Sequence, residues 1–219
     1  MGLLLFLLIS LFIFSFRLPV LLNKYILGGG DVNRSIYWME KWTDPSLFDN
    51  DPVSDYLGSI QPLGMKALYF LIAQFADPVA ASGWVTVLLF YITVYLLFTL
   101  ADRMAGTIAG IIAVTMFLGY EGAVHIFSSG TASDFMPPVF LGILLSLYLR
   151  RPLLIGIFCL VGAMFYPPVS LVCGGVVVLW RLLFDQSKDG FRSLARNISK
   201  SAMILAPAFI FLIVFVFFF

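Results

Sequence analysis

Long apolar runs separated by short polar breaks dominate this chain. They are Leu3 to Phe16, Leu63 to Phe75, Val79 to Leu100, Ala105 to Tyr120, Phe135 to Leu149, Leu153 to Tyr166, Val169 to Phe184 and Met203 to Phe219. Only Val79 to Leu100 reaches the roughly 20 residues that cross a bilayer comfortably. The shorter runs must tilt, thin the bilayer or pack inside a larger bundle. Leu63 to Phe75 carries Lys66 and is expected to be a partial or re-entrant element. Before Leu3 there is no basic region, and no small-residue cleavage site follows the first run, so it reads as a retained span and not a signal peptide. The chain ends FLIVFVFFF inside an apolar run, which makes it the expected N-terminal part of a longer protein. The predicted fold is all-α: a polytopic integral membrane helical bundle of about seven to eight hydrophobic helices, with residues 1–219 as one transmembrane domain.

Composition sharpens this picture. Of 219 residues, 61% are hydrophobic and 11% charged, against about 25% charged in a soluble domain. A net charge of +1 implies no nucleic-acid partner and leaves the lipid bilayer as the first partner. Cys159 and Cys173 both lie inside apolar runs and read as packing thiols. His125 is the only histidine, which excludes a multi-histidine metal cluster; by itself it reads as a loop or packing residue.

Basic residues orient the spans. Arg150 and Arg151 occupy one tight connection, while Arg181, Lys188, Arg192, Arg196 and Lys200 gather around a second, at 185–201. The positive-inside rule makes both cytoplasmic. PPVFLGILLSLYLR from Pro137 and PPVSLVCGGVVVLWR from Pro168 each run from a Pro-Pro pair to an arginine, as expected of spans that begin outside and end inside. Residues 23–60 then form the first extracytoplasmic loop and 121–134 the second. Arg17 and Lys24, just after the first run, oppose this orientation. The expected location is the plasma membrane of a prokaryote, with the active loops extracytoplasmic.

Polar chemistry concentrates in Gly28 to Tyr56, which holds Asp31, Glu40, Asp44, Asp49, Asp51 and Asp55. Gly28 to Gly30 form a hinge, and Asp31 stands at the N-cap position of a predicted amphipathic juxtamembrane helix with Val32, Ile36, Met39 and Trp42 on one face. Capping and chemistry compete for the Asp31 carboxylate, while the later acids read as loop solubility. Gly106 and Gly110 make a GxxxG pattern that lets helices pack closely.

A first span followed by Gly30-Asp31 and then Trp38-Met39-Glu40 resembles the opening of the GT-C superfamily of membrane glycosyltransferases, especially the lipid-phosphate-glucose-dependent enzymes. PSLF..D, QPLG...LYFLIAQF and LLFTLADRMAGTIAGIIAV are similar to that superfamily's following segments, so the resemblance covers nearly the whole chain. Ser35 to Tyr37 stand where a histidine usually precedes the tryptophan, which leaves sugar and acceptor open.

The resemblance implies transfer of a sugar from a polyprenyl-phosphate donor to an acceptor on the outer face. It casts Asp31 as catalytic base or metal contact and Asp134 as a second catalytic acid. Glu40 and His125 become substrate contacts, and Arg34 and Lys66 would either meet the leaving phosphate or snorkel to lipid headgroups. The cofactor is open; a divalent cation held by Asp31 and Asp134 is one expectation, although no spaced calcium-type motif is present. A non-catalytic membrane scaffold or lipid-binding subunit is the alternative. A transporter ranks third, because the spans carry few ionisable residues.

Overall fold

The computed structural model describes residues 35–120, 127, 130–184 and 191–218. Asp31, Arg34 and His125, and with them the helix cap and hinge expected at 28–31, lie outside the described residues. All regular structure among the described residues is helical. The α-helices are α1 (Pro52–Ile60), α2 (Leu63–Ala73), α3 (Pro78–Ala105), α4 (Thr107–Gly119), α5 (Met136–Tyr148), α6 (Pro152–Phe165), α7 (Pro167–Phe184) and α8 (Phe191–Phe218), with 3-10 turns at Tyr37–Trp42 and Ala132–Phe135. Among the described residues one helix, α3, is long and apolar enough to cross a membrane. The chain divides into two compact units, 1–61 with 65–138, and 62–64 with 139–219.

In the first unit the axis is α3. Asp77 caps its start by accepting from Ala80 N at 2.6 Å, and Pro78 occupies the first turn, where its missing N–H costs nothing. At the far end Gly106, with φ +87°, turns the chain sharply into α4. Close helix packing falls to Gly110, where a Cβ would lie 2.9 Å from the Phe98 ring. The two glycines of the GxxxG pattern thus do different work: one turns the chain, the other admits a ring. α3 has 28 residues, about 42 Å, whereas α4 has 13, about 20 Å, so α4 returns along only half of its partner.

Of the amphipathic helix expected after Asp31, only the part from Ser35 onward lies within the described residues, and there Ser35 is α-helical. Residues Tyr37–Trp42 wind as a 3-10 turn, in which positions three apart eclipse one another. Ile36 and Met39 are fully buried and Trp42 half-buried on that row. The apolar face is therefore kept while the pitch tightens. Trp38 is also buried, donating Nε1–H to the Ser35 carbonyl at 3.0 Å. Within the segment expected to be a solvated loop, α1 forms because Asp51 accepts from Val53 N and Ser54 N, both at 3.2 Å, ahead of Pro52. α1 packs on the turn where Gly58 lets the Trp38 ring approach.

In the second unit each helix presents one stripe at a spacing of four: Val139, Ile143 and Leu147 on α5, Ile155, Cys159 and Ala163 on α6, and Val169, Cys173 and Val177 on α7. Leu205 and Ala208 of α8 close the core. Both cysteines are free and fully buried, the packing role expected of them. Ser170 Oγ donates to the Cys159 carbonyl at 2.8 Å, tying α7 to α6. The basic segment 185–201, expected to be a loop, is helical from Phe191 onward. Phe191, Leu194 and Ile198 recur at helical spacing there, so the apolar row of α8 begins before the continuous apolar run.

Candidate functional site

Two polar centres form in the first unit. In the first, the buried Trp38 and Met39 anchor the turn and leave Glu40 and Lys41 half-exposed on it. Trp42 packs edge-on against Phe70 of α2 at 5.7 Å. Lys66 is one helical turn before Phe70 on the same face, so it is brought to this corner too. Burial first, and the Lys41 ammonium second, disfavour the charged form of the Lys66 side chain. Burial raises the proton affinity of Glu40 above that of an ordinary glutamate, and the Asp77 carboxylate at the head of α3 adds to the effect. Two cations and two carboxylates thus gather where the turn, α2 and α3 meet.

Lys41 also lies 5.2 Å from the Trp38 ring centroid and pairs with Asp55 Oδ1 at 3.8 Å. The other loop acids behave as solvated residues or caps. Asp44 accepts from Ser46 N and Ser46 Oγ, which holds its carboxyl below the usual range, and Asp51 caps α1. Asp49 is exposed.

The second centre surrounds Asp134, which has no exposed surface. Gly130 N–H donates to its Oδ2 at 2.8 Å, and Thr86 Oγ1 lies 3.3 Å from the same oxygen while also reaching the Ser82 carbonyl at 3.1 Å. Thr131 Oγ1 makes a longer contact, 3.4 Å, to Oδ1. Thr86 is eight residues into α3, about 12 Å from its start. Asp134, the acid expected in the second loop, is folded inward and ties Gly130 and Thr131 to Thr86 of α3. Phe127 packs edge-on against Phe90 of α3 at 5.4 Å.

Of the residues expected in the site, Glu40 and Lys66 are brought to one corner, and Asp134 occupies a separate buried pocket on the same half of α3. Asp31, Arg34 and His125 lie outside the described residues. Lys41 and Asp77 were missed by sequence reasoning. Lys41 directly follows the Trp-Met-Glu run, and Asp77 carries the signal of an acid before Pro78. Among the described residues no group of three His, Cys, Asp or Glu side chains is placed to hold a metal ion. No family model matches the chain, and no curated protein or solved structure matches it.

Proposed function

We propose that this protein is a membrane glycosyltransferase that moves a sugar from a polyprenyl-phosphate donor to an acceptor at the extracytoplasmic face of a multi-pass bundle. The observation that carries the reading is the corner of Glu40, Lys41, Lys66 and Asp77. Two ammonium groups that repel one another form a place where a phosphate is welcome, since an anion between them relieves the repulsion. A half-buried carboxylate beside them suits a hydrogen bond from a sugar or acceptor hydroxyl, because burial strengthens such a bond.

In this scheme the donor phosphate is met by Lys41 and Lys66 as it leaves the anomeric carbon. Asp31, by the resemblance of its Gly-Asp segment, takes the acceptor proton. Glu40, nine residues on, holds the sugar or acceptor hydroxyl. Asp134 ties Gly130 and Thr131 to α3 and acts as a positioning residue.

The test is transfer of radiolabelled sugar from polyprenyl-phosphate donor in membranes, with protein quantified by blot. Asp31→Asn keeps a cap oxygen but loses a proton acceptor, so activity is expected to fall by about 100-fold to 10,000-fold. Asp49→Asn, at an exposed loop acid, should leave it unchanged. Equal activity of the two variants would move the reading to a non-catalytic scaffold.

A further inference from the structure

An apolar groove of roughly 410 Å³ lies between α6 and α8, within the range of about 300–1,000 Å³ usual for small-molecule sites. Leu153, Ile157 and Leu160 line it from α6, and Met203, Ile204 and Pro207 from α8. At its base Gly156 lets α8 approach: a Cβ there would lie 3.2 Å from the Ile204 carbonyl. Pro207 has no N–H to offer the Met203 carbonyl one turn earlier, which leaves that wall of the groove more open.

Three exposed cations stand at one end of this groove. Arg150 and Arg151 immediately precede α6, and Lys200 is one turn before Ile204 on α8. Gly162 of α6 faces Val169 and Ser170 of α7, Gly174 of α7 faces Leu205 and Phe209 of α8, and Gly156 of α6 faces Ile204 of α8, a set of pairings in which α6 and α8 run in the same direction. Counting back four residues from Gly156 and from Ile204 reaches Pro152 and Lys200, at the same end.

The connection before α6 carries an unusual choice of residue. Arg150 N–H donates to Leu147 O at 3.0 Å and Arg151 N–H to Ser146 O at 2.9 Å, the two bonds of a Schellman closure. That motif calls for a left-handed residue, ordinarily glycine, and Arg150 fills it with φ +53°. A glycine would close the helix with less strain than this arginine does.

We infer that this groove and its three cations form a site for one anionic phospholipid, its acyl chain between α6 and α8 and its headgroup phosphate at Arg150, Arg151 and Lys200. α6 has 14 residues, about 21 Å, against a hydrocarbon core of about 30 Å. A headgroup drawn down to the arginines relieves that mismatch locally. The inference rests on the membrane reading of the chain and is independent of the transferase reading.

The experiment reconstitutes the full chain in vesicles of phosphatidylcholine containing a minor fraction of phosphatidylglycerol. Incorporation is read first by flotation and resistance to alkaline extraction. Lipid retained after detergent extraction is then measured by native mass spectrometry. Wild type should retain phosphatidylglycerol over phosphatidylcholine. Arg150→Gly and Lys200→Gln should each reduce that preference about five-fold, the weight of one basic residue near an anionic surface. Arg150→Gly should do so without lowering the melting temperature. Leu153→Trp, which fills the groove, should reduce retention of both lipids. Failure to incorporate would overturn the membrane reading and this site with it. Incorporation with equal phosphatidylglycerol retention in wild type and variants would overturn the site alone. Displacement of phosphatidylglycerol by an equimolar amount of polyprenyl phosphate would overturn the phospholipid assignment in favour of the donor.

Discussion

Gly130 donates its backbone N–H to Asp134 Oδ2 at 2.8 Å, while the carbonyl of the same residue accepts from the buried Tyr69 hydroxyl, also at 2.8 Å. Both polar groups of one glycine are thus taken up inside the fold, one by a carboxylate of its own loop and the other by α2. Its φ of +64° is left-handed, and a Cβ would lie 2.6 Å from Tyr69 Oη and against the Ser82 carbonyl. Position 130 therefore needs glycine for two separate reasons.

Gly130→Ala should consequently destabilise the first unit by more than the about 1–2 kcal/mol of left-handed backbone strain alone. Asp134→Ala leaves the Gly130 N–H buried without its acceptor, at about 1–3 kcal/mol. Asp134→Asn, which keeps an acceptor oxygen, should cost less than Asp134→Ala. Melting of the purified protein in detergent measures all three. A Gly130→Ala variant as stable as wild type would show that Gly130 is not held between Tyr69 and Asp134 as described.

Glu40 supplies the pH dependence. Its folded pKa lies above the ordinary glutamate value of about 4.3, because burial and Asp77 both disfavour the charged form. A raised folded pKa means that its contribution to stability is fully present below the ordinary value and is lost as pH rises through the folded one. Glu40→Gln mimics the protonated side chain. It should match wild type in acid and exceed it in melting temperature near neutral pH. Asp77→Asn, which retains a cap for α3, should narrow the difference by removing the nearby charge. A Glu40→Gln variant whose advantage is greatest in acid would contradict the sign of the shift.

Much of the helical layout was legible because apolar runs this long leave few alternatives: α3 begins at Pro78 where the run begins at Val79, and the α6 and α7 runs agree within two residues at each end. The burial of Ile36 and Met39 was legible too, since positions three apart share a face in either kind of helix. α1 was missed although Asp51-Pro52 is a start signal of the same kind as Asp77-Pro78. Nine polar-flanked residues between acids look like a loop when read by charge alone. The burial of Asp134 was not legible, for a deeper reason. Its partners Thr86 and Gly130 are 48 and 4 residues away in sequence, and only the α3–α4 hairpin returns the loop to Thr86. A carboxylate among serines and threonines gives no local sign of whether water or protein surrounds it.

Topology can be tested with single cysteines, and the structure decides where they go. Ser54 is buried and would report burial instead of sidedness, so the exposed Ser59, Ser133 and Ser199 are the sites to use. Native Cys159 and Cys173 are fully buried and should give little background. With an impermeant thiol reagent added to intact cells, Ser59→Cys and Ser133→Cys should label and Ser199→Cys should not. Labelling of Ser59→Cys and Ser133→Cys from opposite sides would separate the two loops and end the shared-face site.

Arg150→Gly isolates the cost of a left-handed arginine from everything that arginine does with its side chain. Glycine adopts the same closure without the Cβ penalty of about 1–2 kcal/mol but gives the unfolded chain extra freedom worth about 0.4–1 kcal/mol, so the variant should gain about 1 kcal/mol or less where no anionic lipid is present. Arg150→Ala keeps the penalty and loses the guanidinium, so it should show no such gain.

The last prediction concerns the cation pair. Lys41→Gln removes an exposed ion pair to Asp55, worth at most about 1 kcal/mol, and a cation above the Trp38 ring. Its effect on melting should therefore be small. If Lys41 and Lys66 meet one donor phosphate, each glutamine variant should raise KM for the polyprenyl-phosphate sugar by about 10- to 100-fold, the worth of a charge-assisted hydrogen bond. The acceptor KM should move little. Lys41→Arg and Lys66→Arg keep the charge and should recover part of the loss. Removing either ammonium also relieves the repulsion felt by the other. The double variant should thus depart from the product of the single effects, because two groups that share one ligand are not independent. Strictly multiplicative losses, or losses that fall on acceptor KM instead, would place the donor phosphate elsewhere and leave this corner as a packed surface of the turn.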